Sequence, residues 1–359
     1  MPSYGSGSGT SNTIIYDALL SQTLMNYGSQ MADNIAKSNA IFMRLKEKGM
    51  YESAEGGVSI QENLMIGLTP AEWYSGYDTL STDPTDGVTA AFYDWRELAA
   101  PISISRREER INVGRARIAS MFKTKVKQAE MGIEEAFVQA LLQGSYATGG
   151  TSLVVPASNP LNGATAIDPL PLQVAYNPAA SLTIGGINQS TSTYWRNQTS
   201  NFGGVAVTAN AFLLRCDSIF NACSRGTGGK PDLILTDQLT WELWRSAYTQ
   251  YYRTQVPERN DYPFPNFMFN GAMVVWDERV PNVADNNLDT SSTGRGTAFF
   301  LNTNFLKVRY DVESNFISTP FTKPANQTAR VAHILWMGNM TCNNRRKQGV
   351  MGNIARSLA

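Results

Sequence analysis

A chain of 359 residues with 30 Lys+Arg against 30 Asp+Glu carries no net formal charge, which argues against a dedicated nucleic-acid binder, whose footprint is a strongly basic domain. Its apolar runs are far shorter than the roughly 20 residues needed to cross a bilayer, and the N-terminus lacks a charged-then-apolar secretion signal, so a soluble protein made in the cytosol is expected. Cys216 and Cys223 are seven apart in a helix-like segment, about 10 Å at 1.5 Å per residue and too far to bridge; with the lone Cys342 they read as buried small apolar residues.

The chain opens on "GSGSGT", Gly5 to Thr10, which follows no strand and therefore reads as a flexible tail, not a phosphate loop. Thr13 to Gly49 reads as two short helices, "NTIIYDALLSQTLMNYG" and "ADNIAKSNAIFMRLKEKG", each closed by a glycine in a C-cap position. Weakly amphipathic helices of this length form an arm that needs another surface to pack on.

Met50 to Ile104 has no helical period. "VSIQENLMIG" and "VTAAFYDWRELAAPISIS" show the alternation and the β-branched and aromatic content of strands, and "STDPTDG" between them is a turn cluster, so a long two-stranded hairpin is predicted. Asp83 and Asp86 in that cluster could hold a hard cation, but turn chemistry around Pro84 and Gly87 accounts for them more simply. An isolated hairpin is marginal in water, yet this one carries Trp73, Tyr74, Tyr77, Phe92, Tyr93 and Trp95. Those rings must be covered by the same subunit or by another, and apolar patches of this kind mark interaction surfaces.

Ser105 and Glu108 form a Ser-x-x-Glu capping box. Behind it Ile111, Ile118, Phe122, Val126, Ala129, Ile133 and Phe137 recur at helical spacing up to Gly144. A helix from Arg106 to Gln143 would be about 57 Å long, with Gly114 and Gly132 as candidate bends. Between Arg106 and Glu130 eight Lys/Arg face three Glu, a local charge of +5 that fits either a solvated face or one turned to a polyanion.

The Pro/Asn/Gly-rich run from Gly149 to Ala179 reads as loop with short strands. "IGGINQSTSTYWRNQ", Ile184 to Gln198, ends in Tyr194, Trp195 and Arg196, residue types enriched at interface hot spots, with no acid, base or metal ligand beside them. Helices are predicted at "TANAFLLRCDSIFNACS" and "DQLTWELWRSAYTQYYRT", and strands at "DLILT", "GAMVVWD", "TAFFLN", "LKVRYDV" and "ARVAHILWMGNMTCNN". The chain is mixed α/β or α+β without internal repeats.

Catalytic candidates are weak. His333, the only histidine, lies in an apolar strand pattern and reads as a packed structural residue, and one histidine without clustered cysteines leaves no His/Cys zinc set. "GTGGK", Gly226 to Lys230, has Pro231 where a phosphate loop needs Ser or Thr, and follows a helix, so it reads as a turn. A soluble hydrolase with a site near Asp237 or Asp277 has no nucleophile and base to pair.

The order of elements, an arm, a long hairpin, a long helix and then a mixed domain, resembles that of the tailed-bacteriophage major capsid proteins with the HK97-like fold. The resemblance runs from about residue 30 to the C-terminus. It rests on "FYDWRELAAPISISRREERINVGRARI", "IGGINQSTSTYWRNQ", "PDLILTDQLTWELW", "FNGAMVVWDERVPN", "AFFLNTNFLKV" and "MGNMTCNNRRKQGVMGNI" in that order. It implies an α+β capsid fold with an N-terminal arm (1–49), an E-loop hairpin (50–104), a peripheral domain with a spine helix (105–195 and 303–345) and an axial domain (196–302 and 346–359).

It further implies a virion shell of pentamers and hexamers enclosing double-stranded DNA without sequence preference. Assembly would take place in the bacterial host cytoplasm, with a separate scaffolding protein, a portal, and room for cement or decoration proteins. No cofactor, metal, catalytic residue or membrane is implied. Trp73, Tyr74, Tyr77, Phe92, Tyr93, Trp95, Tyr194, Trp195 and Arg196 are the expected subunit-interface or domain-junction residues. No lysine lies between Lys48 and Lys123, so the hairpin cannot donate an amine to an isopeptide cross-link and a noncovalent shell is expected. An encapsulin-type cellular compartment, with the same fold, is the nearest rival.

Overall fold

The computed structural model describes residues 40–54, 56–67, 71–79, 87–111, 115–143, 166–178, 183–203, 206, 208–251, 266–280, 282–284, 287–289 and 296–355. The Gly/Ser tail, most of the arm, Asp83, Asp86, Gly114 and the greater part of the Pro/Asn/Gly-rich run lie outside these residues.

Helix α1 (Ala40–Glu47) ends in a Schellman motif. Gly49 takes φ +67°, its N–H donates to Lys46 O, and Met50 N–H donates to Leu45 O at 2.8 Å. Ile41, Phe42 and Leu45 of this helix are buried in the chain's main core, with the Phe42 ring edge-on to Tyr51 at 5.2 Å and to Phe137 at 5.4 Å. For residues 40–47, then, the surface the arm needs is the chain's own core.

The hairpin is shorter than expected. Strands β1 (Tyr51–Ala54), β2 (Ile60–Met65), β3 (Val88–Tyr93) and β4 (Arg96–Ile104) follow in order. Only β2 and β3 pair as the hairpin, from Ile60↔Tyr93 to Met65↔Val88. The run read as one return strand breaks at Asp94 and Trp95: its second half, β4, leaves the hairpin and joins another sheet. Alternation continues through the break, because it reports which face is buried and not which strand is the partner.

The capping box is present as predicted, with Ser105 N–H donating to Glu108 Oε2 (3.1 Å) and Glu108 N–H to Ser105 Oγ (3.2 Å). The long helix comprises α2 (Arg106–Ile111) and α3 (Arg115–Gln143), and α3 runs through Gly132 without a break. Val126, Ile133 and Phe137 face the core as their spacing requires, joined by Leu141 and Leu142.

After the short helix α4 (Leu170–Gln173) and the two-residue strands β5 (Thr183–Ile184) and β6 (Ile187–Asn188) come β7 (Gln198–Asn201), α5 (Ala209–Ser224), β8 (Leu233–Thr236) and α6 (Gln238–Tyr251). Then follow β9 (Asn266–Phe269), β10 (Ala272–Trp276), β11 (Asn282–Ala284), β12 (Asn287–Asp289), β13 (Gly296–Leu301), β14 (Leu306–Ser318), β15 (Arg330–Cys342) and β16 (Gly349–Ile354). One sheet has the order β1-β14-β15-β4, the other β7-β16-β13-β8-β10-β9. Asn270 and Gly271 both have positive φ between the antiparallel β9 and β10, as a two-residue primed turn demands.

β8, β13 and β16 are buried along their whole length. Their odd and even residues divide between two cores: Leu233, Leu235, Phe299, Leu301 and Val350 face the long helix and the four-stranded sheet, whereas Ile234, Ala298, Phe300 and Met351 face α5 and α6 around Trp244. Cys216, Cys223 and Cys342 are buried free thiols; burial pushes the thiols of Cys223 and Cys342 up to about 12, so they stay protonated and inert. His333 is exposed on the outer face of β15, a correction to its reading as a packed residue: it takes the outward phase of an alternation whose other phase, Ala332 and Ile334, carries the core.

Candidate interface at the hairpin root and sheet crossing

The chain passes between its two sheets at three places: from Trp195 into β7, from β13 into β14, and from β15 into β16. The stretch "IGGINQSTSTYWRNQ" lies at the first. Gly185 and Gly186, both at positive φ, turn β5 into β6, and the tip of this turn docks on the hairpin. Phe92 N–H donates to Gly185 O (3.0 Å), and a Cβ on Gly185 would lie 2.8 Å from the Ala91 Cβ. Both the backbone conformation and the close approach therefore require glycine there.

Thr193–Trp195 forms a 3-10 turn that drives Trp195 into a small core with Ile60, Leu64, Ala91, Tyr93, Leu172 and Ile184. The Trp195 indole N–H donates to Ile184 O (3.0 Å), and the Tyr93 hydroxyl donates to Cys342 O (2.9 Å). Trp95 packs on the edge of this cluster, its indole N–H donating to Gly57 O (2.9 Å). Arg196 is tied back to Gln189 O (2.7 Å) and Ser190 O (2.8 Å), while Tyr194 lies half-exposed. Tyr93 and Trp195 are thus covered by the chain itself and clamp the root of the hairpin. Trp73 and Tyr77 are fully exposed, Tyr74 and Phe92 largely so, and no part of the described chain covers them.

A residue the sequence reading missed holds this region together. Arg345 is completely buried, and its guanidinium donates to Gln173 O (2.7 Å), Trp195 O (3.1 Å), Leu172 O (3.3 Å) and Asn197 Oδ1 (3.4 Å) over the face of the Trp195 ring. Burial pulls its pKa down to about 10, so it is still charged at neutral pH, with those acceptors offsetting the lost hydration. At the second crossing Asn302 and Gln348 exchange two hydrogen bonds of 2.9 Å. Burial opposes the charge of Asp232 nearby, but the Thr303 N–H and hydroxyl and the Lys48 ammonium hold its carboxyl below the usual range. The polar run "NNRRKQG" between two apolar strands is the signal that could have located Arg345 and Gln348.

Asp168 sits at the corner where β3 becomes β4. Burial raises its pKa to about 6, against the Arg96 guanidinium at 3.8 Å and an Asn339 hydrogen bond (3.1 Å), with Asp94 adding to the rise. Because the folded pKa lies above the unfolded value, this carboxylate costs stability above about pH 6, and the cost disappears as pH falls toward 4. Asp168→Asn is accordingly expected to leave the melting temperature at pH 7 unchanged or higher and to remove this component between pH 4 and 6. Thermal melts of variant and wild type across that range check it; a variant that loses stability at pH 7 contradicts it.

A cleft of about 430 Å³ opens beside the junction, between Asn63–Gly67, Tyr194, Phe305, Arg225 and Arg346. Its lining has amides and cations but no carboxylate, histidine or cysteine, so it lacks a general acid–base pair. The Asp237 carboxylate is committed elsewhere, accepting from Thr297 N–H (2.9 Å) and capping α6 through Thr240 N–H (3.3 Å), and Asp277 accepts from Arg279 N–H (2.9 Å). Lys347 fastens the "GTGGK" turn through the carbonyls of Arg225, Gly226 and Gly229.

The sequence matches no protein-family profile and no curated protein. Solved structures do match. A chain of the cyanophage A-1(L) capsid asymmetric unit superposes with TM-score 0.63 at 14% identity, covering 85% of this chain and 90% of the other. The capsid of the native GTA particle gives 0.52 at 9% identity, covering 88% and 89%. The SrpI encapsulin of Synechococcus elongatus PCC 7942 gives 0.42 at 9%, covering 88% and 89%. Superposing over 85% and 88% of its length on those two capsid chains, the protein has the HK97-like fold.

Proposed function

We propose that this chain is a major capsid protein whose copies, as pentamers and hexamers, close into an icosahedral virion shell around phage double-stranded DNA. The observation that carries the reading is the hairpin bearing Trp73, Tyr74 and Tyr77 in solvent, on a chain whose fold is that of capsid subunits. Rings of that size bury about 150–250 Å² each, and none of the described residues of the subunit covers them. Within residues 50–104 the β2–β3 hairpin serves as the E-loop lying over an adjacent subunit, while β1 and β4 join the four-stranded sheet. The long helix with β14 and β15 (105–195 and 303–345), completed by β1 and β4 from the preceding segment, forms the peripheral domain, and the six-stranded sheet the axial domain (196–302 and 346–359), with residues 1–49 as the arm. Tyr194, Trp195 and Arg196 fix the junction between these domains, where Arg345 also lies.

DNA is held through phosphate charge and not sequence, and the exposed Arg106, Arg107, Lys123 and Lys127 of the long helix offer the matching charge. A scaffolding protein, a portal and cement proteins are separate chains, and assembly takes place in the bacterial host cytoplasm. The shell is noncovalent, since the hairpin has no lysine to cross-link. Several contacts of roughly 1,600 Å² per subunit suffice, because a lost contact re-forms before its neighbours open.

Electron microscopy of the purified chain is expected to show closed icosahedral particles that boiling in SDS reduces to monomers. A compact monomer at high concentration would overturn the reading, covalent ladders would overturn the noncovalent shell, and a protein cargo in place of DNA in native particles would assign the chain to encapsulin-type compartments.

A further inference from the structure

The "GTGGK" turn, Gly226 to Lys230, keeps its carbonyls inward. Those of Gly226 and Gly229, with that of Arg225 before them, accept from the Lys347 ammonium, and that of Gly228 accepts from Asn302 Nδ2 (3.1 Å). Gly226, Gly228 and Gly229 all have positive φ, and the N–H groups of residues 226–229 donate to no acceptor among the described residues. Successive unpaired N–H groups on such a turn make a concave anion site. The Lys347 ammonium offsets the partial negative charge that the C-terminal end of α5 brings to the same place.

This turn forms part of the wall of the cleft of about 430 Å³ beside the hairpin root, a volume within the range of small-molecule sites. Arg225 and Arg346 line the cleft too; both are exposed, and neither guanidinium has a hydrogen-bond or ion-pair partner among the described residues. Burial, and then the charge of Arg346 beside it, pull the Lys347 pKa below the usual lysine value, and no carboxylate lines the cleft to balance these cations. Aromatic surface is presented alongside them. Tyr194 is 38% exposed, and the Phe305 ring lies so close over Gly228 that a Cβ there would fall 2.7 Å from it. Asn343 Oδ1 is a buried acceptor in the same lining that no donor among the described residues reaches, which costs stability unless a ligand supplies one.

We propose that this cleft binds a nucleoside monophosphate with an amino-bearing base. Its phosphate is held by Arg225, Arg346 and the N–H groups of the glycine turn, its base lies against the Tyr194 and Phe305 rings, and the amino group donates to Asn343 Oδ1. Phosphate fits better than carboxylate because its three free oxygens can take both planar guanidinium forks and the turn N–H groups together. Aromatic faces beside cations are the usual platform for an unpaired base. The turn follows α5 and carries Pro231 where a strand–loop–helix phosphate loop has its metal-holding Ser or Thr, so a triphosphate with its metal ion is not the ligand expected. Because Asn63–Gly67 of the hairpin and the junction residues 343–347 both line the cleft, a bound nucleotide ties the hairpin root to the junction. The site goes beyond the shell reading and does not depend on it. Two sources supply this chemistry, a free nucleotide and the 5′-phosphorylated end of a single strand.

Calorimetric titration of the full-length chain with adenosine 5′-monophosphate at low ionic strength tests the site. The monophosphate is expected to bind at least about tenfold more tightly than inorganic phosphate or adenosine, each of which makes only part of the contacts. Arg225→Ala and Arg346→Ala should each weaken it by about tenfold, equivalent to about 1.4 kcal/mol, and Tyr194→Ala should weaken the monophosphate but not inorganic phosphate. Both arginines are exposed, so the melting temperature of the two variants without ligand should match that of the wild type, which separates lost binding from lost folding. A 5′-phosphorylated hexanucleotide that displaces the monophosphate where its unphosphorylated counterpart does not identifies a strand end as the source; failure of both to displace it identifies the free nucleotide. No binding of the monophosphate, binding no tighter than that of inorganic phosphate, or binding that survives both arginine variants would overturn the assignment. The titration does not require particles, so its failure leaves the shell reading untouched.

Discussion

Arg345→Ala is expected to destabilise the folded subunit by about 3–5 kcal/mol, the range found when one partner of a buried charged network is removed. The guanidinium, carried on the 3-10 turn Arg345–Lys347 that follows β15, ties that turn to the short helix α4 and the 3-10 turn at Trp195, some 150 to 170 residues earlier in the chain. Removing it leaves the carbonyls of Leu172, Gln173 and Trp195 buried without a donor, each costing about 1–3 kcal/mol, and adds a cavity. Arg345→Lys is expected to recover little, since a single ammonium cannot reach acceptors spread around a planar fork. Denaturant unfolding of the dissociated subunit measures the loss, and a change below about 1 kcal/mol would mean that the junction does not depend on this residue.

Trp195→Ala is expected to cost a similar amount, about 3–5 kcal/mol, as for other buried Trp and Phe truncations. The ring fills the cluster that holds Ile60, Leu64 and Tyr93 of the hairpin root, and its N–H satisfies Ile184 O. Loosening that root should also lower the yield and heat stability of particles seen in electron micrographs. Trp195→Phe keeps most of the packing and loses the hydrogen bond, a cost of about 1 kcal/mol. Trp195 and Arg345 share a contact, so the double variant is expected to lose less than the two single losses combined, by about 0.5–3 kcal/mol. Particle yield and melting temperature unchanged in Trp195→Ala would remove the residue from the junction.

What the sequence determined by itself is the set of elements whose cause is local. The Ser105–Glu108 box, the helical recurrence of Val126, Ile133 and Phe137, the glycine stop at Gly49 and the strands at Leu233, Ala298 and Ile334 follow from hydrogen bonds and periodicities within a few residues. The absence of lysine from the hairpin is likewise a property of composition alone.

The tertiary structure decided everything that depends on a partner far along the chain. Alternation through "VTAAFYDWRELAAPISIS" could not show that β3 and β4 serve different sheets, because period two marks a face and leaves the neighbouring strand open. Aromatic identity flagged both Trp195 and Trp73, yet one is buried by its own chain and the other is left uncovered by the described residues, since a ring's chemistry does not say whose surface covers it. Arg345 reads in sequence as one charge in a basic run; only the fold converges four acceptors on it and excludes water, and that convergence makes it the pin of the junction.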